Sequence, residues 1–161
     1  SHFTQAEHLL LKSLEHYPNR ASLLTILSRC YFETQRYEDA ERVLAEALQQ
    51  MPDHLDALYM LGRVKAEQGE HSEAEMAFRC ALAQYPTSGS LHYSVALYYC
   101  YAPDEAIFTQ LPAALKQPSY SYFERVLGHF ALGKAHLDIE QYESPSKRAR
   151  CWIAIQAHGI S

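Results

Sequence analysis

The sequence predicts an all-α fold, an α-solenoid in which about eight to nine helices pair as antiparallel hairpins that stack on one another. The first observation behind this prediction is a repeat: Pro18, Pro52 and Pro86 recur at a constant interval, each after a large apolar residue. A period of about 34 residues is typical of stacked helix–turn–helix units. The second is composition, since 6 Gly and 7 Pro among 161 residues leave little material for turns and favour helices. The third is the spacing of apolar residues by three and four, which is the helical period.

Each repeating unit contains two stretches whose apolar residues lie on one helical face. The aligned positions, given as pairs one period apart, are Leu24 and Leu58, Leu27 and Leu61, Tyr31 and Lys65, Ala40 and Ala74, Leu44 and Phe78, and Ala47 and Ala81. Between the two stretches, Gln35-Arg36 and Gln68-Gly69 predict tight turns. Gly69 can adopt the positive φ that ends a helix.

This arrangement of large and small positions resembles the tetratricopeptide repeat family. The matching residues are Leu58, Leu61, Gly62, Ala74, Phe78, Ala81 and Pro86. Residues 21–54 match nearly as well, with Ser28 in place of the usual glycine. The resemblance implies a right-handed superhelix that acts as a scaffold, takes a protein or peptide partner in its concave groove and is not an enzyme.

We expect a single domain over residues 1–161, divided into units of unequal regularity. The units are a half repeat at 3–18, repeats at 21–54 and 55–88, an irregular repeat at 89–118 and a degenerate repeat at 121–159. Because the half repeat lacks its first helix, we expect the array to continue upstream of this chain. Its unpaired helix, residues 3–16, is also a candidate surface for self-association.

The last two units predict less regular helices. Residues 89–101 form the first helix of the third unit, and Pro112 is expected to kink or break the second. The first helix of the last unit spans 121–139, and a final helix covers roughly 144–159. The pattern of a first helix returns over 121–139 through Leu132, Gly133 and His136.

The first helix of every pair lines the concave face of such a stack, and the offsets not used for packing point into the groove. The predicted groove residues are Thr25, Arg29, Phe32, Glu33, Tyr59, Arg63, Glu67, Tyr93, Leu97, Tyr101 and Lys134. Three cation–anion pairs recur at equivalent offsets, four residues apart: Arg29 with Glu33, Arg63 with Glu67, and Lys134 with Asp138.

Two interpretations of these groove residues stay open. The charged pairs either form a ladder that binds a polar or mixed-charge segment, or neutralise themselves and contribute about 0.2–0.5 kcal/mol each to their own helices. Likewise, Phe32, Tyr59, Tyr93, Leu97 and Tyr101 either anchor a partner or only fill space between helices.

Charge and motifs exclude several classes of function. The formal charge is −5, with no basic excess in either half, so we expect no nucleic-acid partner. The apolar runs are far shorter than the roughly 20 residues that span a bilayer. The 4 Cys are widely spaced and 9 His form no ligand pair, so we expect no metal, no cofactor and a reducing, cytoplasmic compartment. No catalytic constellation is visible.

The leading hypothesis is therefore a protein–protein interaction scaffold. An alternative is a non-catalytic helical arm of a larger enzyme, used for assembly or substrate positioning. Residues 130–135 (Phe-Ala-Leu-Gly-Lys-Ala), with Asp138 and Tyr142, resemble the last repeat before the catalytic domain in bacterial tetratricopeptide–sulfotransferase proteins. This likeness covers only the C-terminal part of the chain and is much less specific than the repeat itself.

Overall fold

The computed structural model describes residues 2–17, 20–101 and 106–142. These residues form eight α-helices and one short 3-10 turn, with no strand among them, so the predicted all-α class is confirmed. The helices are α1 (His2–Leu14), α2 (Arg20–Glu33), α3 (Tyr37–Gln50), α4 (Leu55–Glu67), α5 (His71–Gln84), α6 (Gly89–Tyr98), α7 (Leu111–Leu115) and α8 (Tyr122–Tyr142). The predicted final helix over residues 144–159 lies outside the described residues.

The chain divides into two compact units, residues 1–77 and 78–161, with the boundary inside α5. In the first unit α1 packs on α2, α2 on α3 and α3 on α4, and α2 also contacts α4. Only three residues separate α2 from α3, so this packed pair turns back on itself as a hairpin, and three residues also separate α4 from α5. The predicted repeat boundaries within one domain of residues 1–161 stay a prediction.

The core of the first unit uses the offsets that the repeat predicts. Its buried members are Leu14, Ala21, Leu24, Leu27, Tyr31, Ala40, Val43, Leu44, Ala47, Ala57, Met60 and Val64. Ser28 is fully buried and Gly62 is buried, which fits the small side chains expected where helices approach closely. Lys65 is the exception in chemistry, because it is buried at the position that Tyr31 fills with a ring.

Both hairpin turns of the first unit have the same backbone conformation. Gln35 has a φ of 59°, and Gly69, at the equivalent turn of the next repeat, has a φ of 80°. The residue after each donates its N–H to a carbonyl five residues back: Arg36 to Tyr31 at 2.8 Å and Glu70 to Lys65 at 2.9 Å. This hydrogen bond closes the left-handed turn that ends a helix. The positive φ predicted for Gly69 is confirmed, and Gln35 adopts it without being glycine.

In the second unit, α6 packs along α8, and α7 contacts α8. Gly89 and Gly128 make the close approach possible, since a Cβ on Gly89 would lie 2.1 Å from the Glu124 carbonyl oxygen. The buried residues Gly128, Ala131 and Ala135 form the contact face of α8. The contact face of α8 is therefore built from small residues.

In α8 the residues that match the repeat pattern are not the buried ones. Gly133 and His136 are exposed, and Leu132 is only partly buried. Gly128 lies against Gly89 of α6, so this side of α8 faces α6. The helix itself, predicted over 121–139, is confirmed as α8.

The irregular repeat predicted at residues 89–118 has no long second helix. Pro112 lies in the first turn of the five-residue helix α7, where its missing N–H has no helical partner to lose. The expected interruption at Pro112 is thus realised as a new helix start. The first helix, α6, ends at Tyr98 instead of residue 101, because the chain turns extended at Tyr99 (φ −130°, ψ 158°).

Candidate functional site

The α2–α4 face, defined as the exposed and half-exposed side of the two first helices in the first unit, holds six predicted groove residues. These are Arg29, Phe32, Glu33, Tyr59, Arg63 and Glu67. Arg29, Glu33 and Glu67 are exposed, and the other three are half-buried. Since α2 contacts α4, the face is continuous within this unit.

Thr25, also predicted for the groove, is buried, with 2% of its surface exposed. Its hydroxyl donates to the Ala21 carbonyl oxygen at 2.8 Å, within the same helix. The helix α2 packs against α1, α3 and α4, so more of its surface is covered than the apolar pattern alone indicates. Thr25 is therefore a packing residue and offers no contact surface.

Arg63 and Phe32 are brought together across the α2–α4 face. The Arg63 guanidinium carbon lies 4.3 Å from the centroid of the Phe32 ring, a cation–π contact. The Phe32 ring also meets the edge of Tyr37, with centroids 5.7 Å apart. Stacking uses the planar face of the guanidinium and leaves its N–H groups along the edge for other acceptors.

The three predicted charged pairs behave differently in the two units. Lys134 donates to Asp138 at 2.5 Å, and Asp138 is buried. In the described part of the first unit, by contrast, no ion pair within 4 Å joins Arg29 to Glu33 or Arg63 to Glu67. The charged pair of the second unit therefore neutralises itself. The predicted pairs of the α2–α4 face do not, so their charges remain available to a partner.

The α6–α8 face, defined as Tyr93, Leu97, Phe130 and Lys134, is the corresponding surface of the second unit. The Tyr93 and Phe130 rings meet edge to face with centroids 5.1 Å apart. Leu97 is 51% exposed and Phe130 is 52% exposed. The face is thus largely apolar, and its predicted cation, Lys134, is paired with the buried Asp138.

Tyr101 was predicted for the groove but is buried, with 2% of its surface exposed. Because α6 ends at Tyr98, Tyr101 folds back: its hydroxyl donates to the His92 carbonyl oxygen at 2.8 Å. Its backbone N–H donates to the Asp138 carboxylate at 3.2 Å. Tyr101 therefore joins α6 to α8 and is removed from the predicted binding surface.

Two polar clusters were not predicted from the sequence. In one, the buried Lys65 ammonium contacts the carboxylates of Glu41 at 2.8 Å, Glu70 at 2.5 Å and Glu73 at 2.9 Å. Burial alone would lower the pKa of Lys65, but the hydrogen bonds to these carboxylates outweigh it and raise the pKa. The available signal was the charged residue at an apolar repeat position.

The second cluster holds the N-terminus of α6. The Tyr120 hydroxyl accepts the Gly89 N–H at 2.9 Å and donates to the Thr87 carbonyl oxygen. Glu124 accepts the Ser90 N–H at 3.0 Å. Burial raises the pKa of Tyr120. A carboxylate and a phenol from outside the helix thus satisfy N–H groups that have no partner within it.

Comparison with known families agrees with the repeat. Residues 19–87 match the sequence profile of the tetratricopeptide repeat family. The chain therefore contains tetratricopeptide repeats, in the segment that runs from α2 to the end of α5. Repeats of this family generally mediate protein–protein interaction and typically form non-catalytic scaffolds. A comparison with curated proteins found no significant match.

Within the described ranges, no group of three or more His, Cys, Asp or Glu side chains is placed to hold a metal ion. No helix of the described part is both long and apolar enough to cross a membrane. The self-association predicted through residues 3–16 stays a prediction, and Leu9 of α1 is 63% exposed. The sulfotransferase likeness of residues 130–142 likewise stays a prediction.

Proposed function

We propose that the chain binds a polypeptide segment of a partner protein on the exposed faces of its first helices. The observation that carries this proposal is the α6–α8 face, where Leu97 and Phe130 remain half exposed beside Tyr93. Exposed apolar surface costs roughly 25 cal/mol per Å², which a covering partner would recover. Contiguous exposed apolar groups on a folded surface typically mark an interaction site.

The α2–α4 face supports the same proposal with a different chemistry. It offers a fixed aromatic–guanidinium pair, Phe32 with Arg63, flanked by charges that form no ion pairs among the described residues. Aromatic residues and arginines are enriched among the residues that contribute most to binding. Each face therefore supplies an anchor that a peptide can use, apolar on α6–α8 and polar-aromatic on α2–α4.

The test uses the 161-residue chain and a random dodecamer library displayed on phage. Peptides selected on the chain are synthesised, and their affinity is measured by fluorescence anisotropy. The face variant combines Arg63→Ser and Leu97→Ser, two side chains whose removal empties no buried site. The control variant combines Arg42→Ser and Met76→Ser, which are exposed on the second helices α3 and α5.

The proposal predicts that the face variant binds the selected peptides at least about tenfold more weakly, since loss of a central anchor costs on the order of 2 kcal/mol. The control variant should bind them like the unaltered chain. Circular dichroism checks that both variants keep the helical content. Equal weakening by the two variants, or no weakening by the face variant, would exclude the first helices as the binding surface.

A further inference from the structure

The helix α8 has two apolar sides that differ in the size of their residues. On one side, the small residues Gly128, Ala131 and Ala135 are buried and form the contact face toward α6. The other side carries large apolar residues and one glycine between them, and we call it the α8 seam: Phe123, Val126, Phe130, Gly133 and Leu137. The four large side chains of the α8 seam are between 49% and 68% exposed. The larger apolar side of this helix is therefore the one that solvent reaches.

The spacing of the α8 seam is that of a surface on which two helices pair. Its residues follow one another at intervals of three, four, three and four, which is the apolar pattern of a coiled coil. Such residues form one stripe along roughly four turns of a helix. An extended peptide matches this stripe less well, because its side chains alternate with a period of two. The α8 seam therefore fits a second helix that runs along it.

Gly133 leaves a gap in the α8 seam beside a large side chain. Glycine inside a helix is unfavourable. Gly133 is exposed, and a Cβ there would meet no described atom within 4 Å, so packing within the described part of the chain does not require glycine at this position. Phe130 lies about one turn earlier on the same stripe, with its ring half exposed. One helix thus carries a protruding ring and, next to it, room for a ring.

We infer that the α8 seam binds the same seam of a second copy of this chain, as an antiparallel pair of helices. When the pair is centred between residues 130 and 133, Phe130 of each copy lies opposite Gly133 of the other. The same centre places Val126 opposite Leu137, again twice. A stripe that supplies both the ring and the gap is complementary to itself, which is what a two-fold symmetric contact requires.

The exposed area limits the strength of this pair. Since a whole aromatic side chain offers roughly 150–250 Å², the α8 seam and the neighbouring Tyr122, which is 84% exposed, contribute on the order of 500 Å² per copy. The pair then buries about 1,000 Å², the lower limit for a specific interface. Lys134 borders the seam but is neutralised by Asp138 on its own helix, so it adds little repulsion. We therefore expect a weak dimer, with a dissociation constant of about 10–100 μM.

Pairing through the α8 seam goes beyond the proposed function and competes with part of it. Phe130 belongs both to the seam and to the α6–α8 face, so a peptide and a second copy cannot cover its ring together. The paired form therefore binds less peptide on this face than the single chain does. Leu137 belongs to the seam alone, so a substitution there removes pairing without altering the peptide surface.

Sedimentation equilibrium of the 161-residue chain, from about 1 μM to about 1 mM, measures the pairing. Leu137→Ser removes a side chain of the seam. Met76→Ser is the matched control, since Met76 is 65% exposed on α5. Leu9→Ser tests the self-association predicted through residues 3–16. We expect Leu137→Ser to weaken the pairing at least about tenfold, and the other two variants to leave it unchanged.

Two further variants test the match between ring and gap. Gly133→Phe places a ring against a ring, and Phe130→Ala leaves a gap against a gap, so each variant alone should pair at least about tenfold more weakly. An equimolar mixture of the two variants brings a ring opposite a gap at both positions. Pairing between the unlike copies should therefore return to near that of the unaltered chain. Circular dichroism checks that each variant keeps the helical content.

A chain that stays monomeric at about 1 mM would overturn the inference. A lower melting temperature of Leu137→Ser in that monomer would show that the chain itself covers the seam, and an unchanged one would leave the seam to a different protein. Pairing that only Leu9→Ser weakens would assign it to α1 and overturn the inference equally. Pairing that the mixture of Gly133→Phe and Phe130→Ala fails to restore would exclude the match between ring and gap.

The peptide affinity of Leu137→Ser separates the failure of this inference from that of the proposed function. Peptides from the dodecamer library that bind this variant like the unaltered chain support the proposed function, whatever the result for pairing. Pairing through the α8 seam in a chain that binds no peptide on its first helices would support the inference alone.

Discussion

The Lys65 ammonium lies 2.8 Å from the Glu41 carboxylate, one repeat after the place where Glu7 meets Arg36 at 3.0 Å. Glu41 follows Glu7 by one full repeat period, so the same carboxylate position binds a cation in both repeats. The cation differs: it comes from the hairpin turn in the first repeat and from inside the helix in the second. The position of the cation therefore differs between the two repeats, whereas the position of the carboxylate that it contacts is the same.

Replacement of Lys65 by Met should destabilise the chain. The substitution fills similar space but leaves Glu41, Glu70 and Glu73 crowded around an apolar group, without the cation that neutralises them. Because these carboxylates are partly exposed, solvent screens their repulsion, and we expect a loss of about 1–3 kcal/mol instead of the roughly 3–5 kcal/mol typical of a fully buried pair. Urea unfolding at pH 7 measures it. Lys12→Met on the exposed side of α1 is the control, and an equal loss in both variants would contradict the role of the cluster.

The hairpin turn at Gln35 should accept glycine with a gain in stability. Gln35 has a φ of 59°, a conformation that costs a side-chain-bearing residue roughly 1–2 kcal/mol, and Gly69 has the equivalent conformation without that cost. Allowing for the greater freedom of glycine in the unfolded chain, Gln35→Gly should stabilise by about 0.5–1 kcal/mol.

The reverse change, Gly69→Ala, should destabilise by about 1 kcal/mol, although a Cβ there would meet no atom within 4 Å. Thermal melting of the two variants measures both effects. As a control, Gln49→Gly in the exposed part of α3 should lower the melting temperature. A lower melting temperature for Gln35→Gly as well would show that the backbone at residue 35 is not under strain.

The two glycines of the second unit that face different surroundings should respond oppositely to alanine. A Cβ on Gly89 would collide with the backbone of α8, so Gly89→Ala must separate α6 from α8 and should cost about 1–3 kcal/mol or more. A Cβ on Gly133 would meet nothing within 4 Å, so Gly133→Ala should stabilise α8 by about 0.5–1 kcal/mol. Chemical denaturation measures both, and equal effects of the two substitutions would be inconsistent with the described α6–α8 contact.

The Asp39 carboxylate should stabilise the fold near neutral pH and lose this contribution in acid. Hydrogen bonds from Arg36 and then Arg42 lower the pKa of Asp39 below its ordinary value. A group whose folded pKa is lowered contributes stability above its unfolded pKa, about 3.9, and loses it as pH falls through the folded pKa. The melting temperature of Asp39→Asn should therefore lie below that of the unaltered chain at pH 6, and the difference should shrink toward pH 2.5. A difference that stays constant across this range would refute the linkage.

The helices of the first unit could be predicted because the repeat and the apolar spacing are local signals. The positions aligned by the repeat period, such as Leu24, Leu44 and Ala74, are buried as predicted. The period also located the turns at Gln35 and Gly69. The period could not predict the ion pairs of Lys65. This charged residue at an apolar position is neutralised by three carboxylates from other parts of the chain.

The second unit was predicted less well because its geometry depends on contacts between residues far apart in sequence. The approach of Gly89 to Gly128 sets which side of α8 is buried, and the hydrogen bonds of Tyr101 to His92 and Asp138 draw the end of α6 inward. Neither relation has a local pattern in the sequence. Of the residues that the offsets place on the binding surface, Thr25 and Tyr101 are buried, and the surface itself stays a prediction.

The most direct test of peptide binding by the first helices is an NMR titration of the isotopically labelled 161-residue chain with a library-selected peptide. We predict that amide shifts change most on the first helices, around Arg29, Phe32, Arg63 and Leu97, and little around Arg42 and Met76 on α3 and α5. Intermolecular contacts confined to the first helices would confirm the assignment. The largest changes around Arg42 and Met76, with the first helices unaffected, would contradict it.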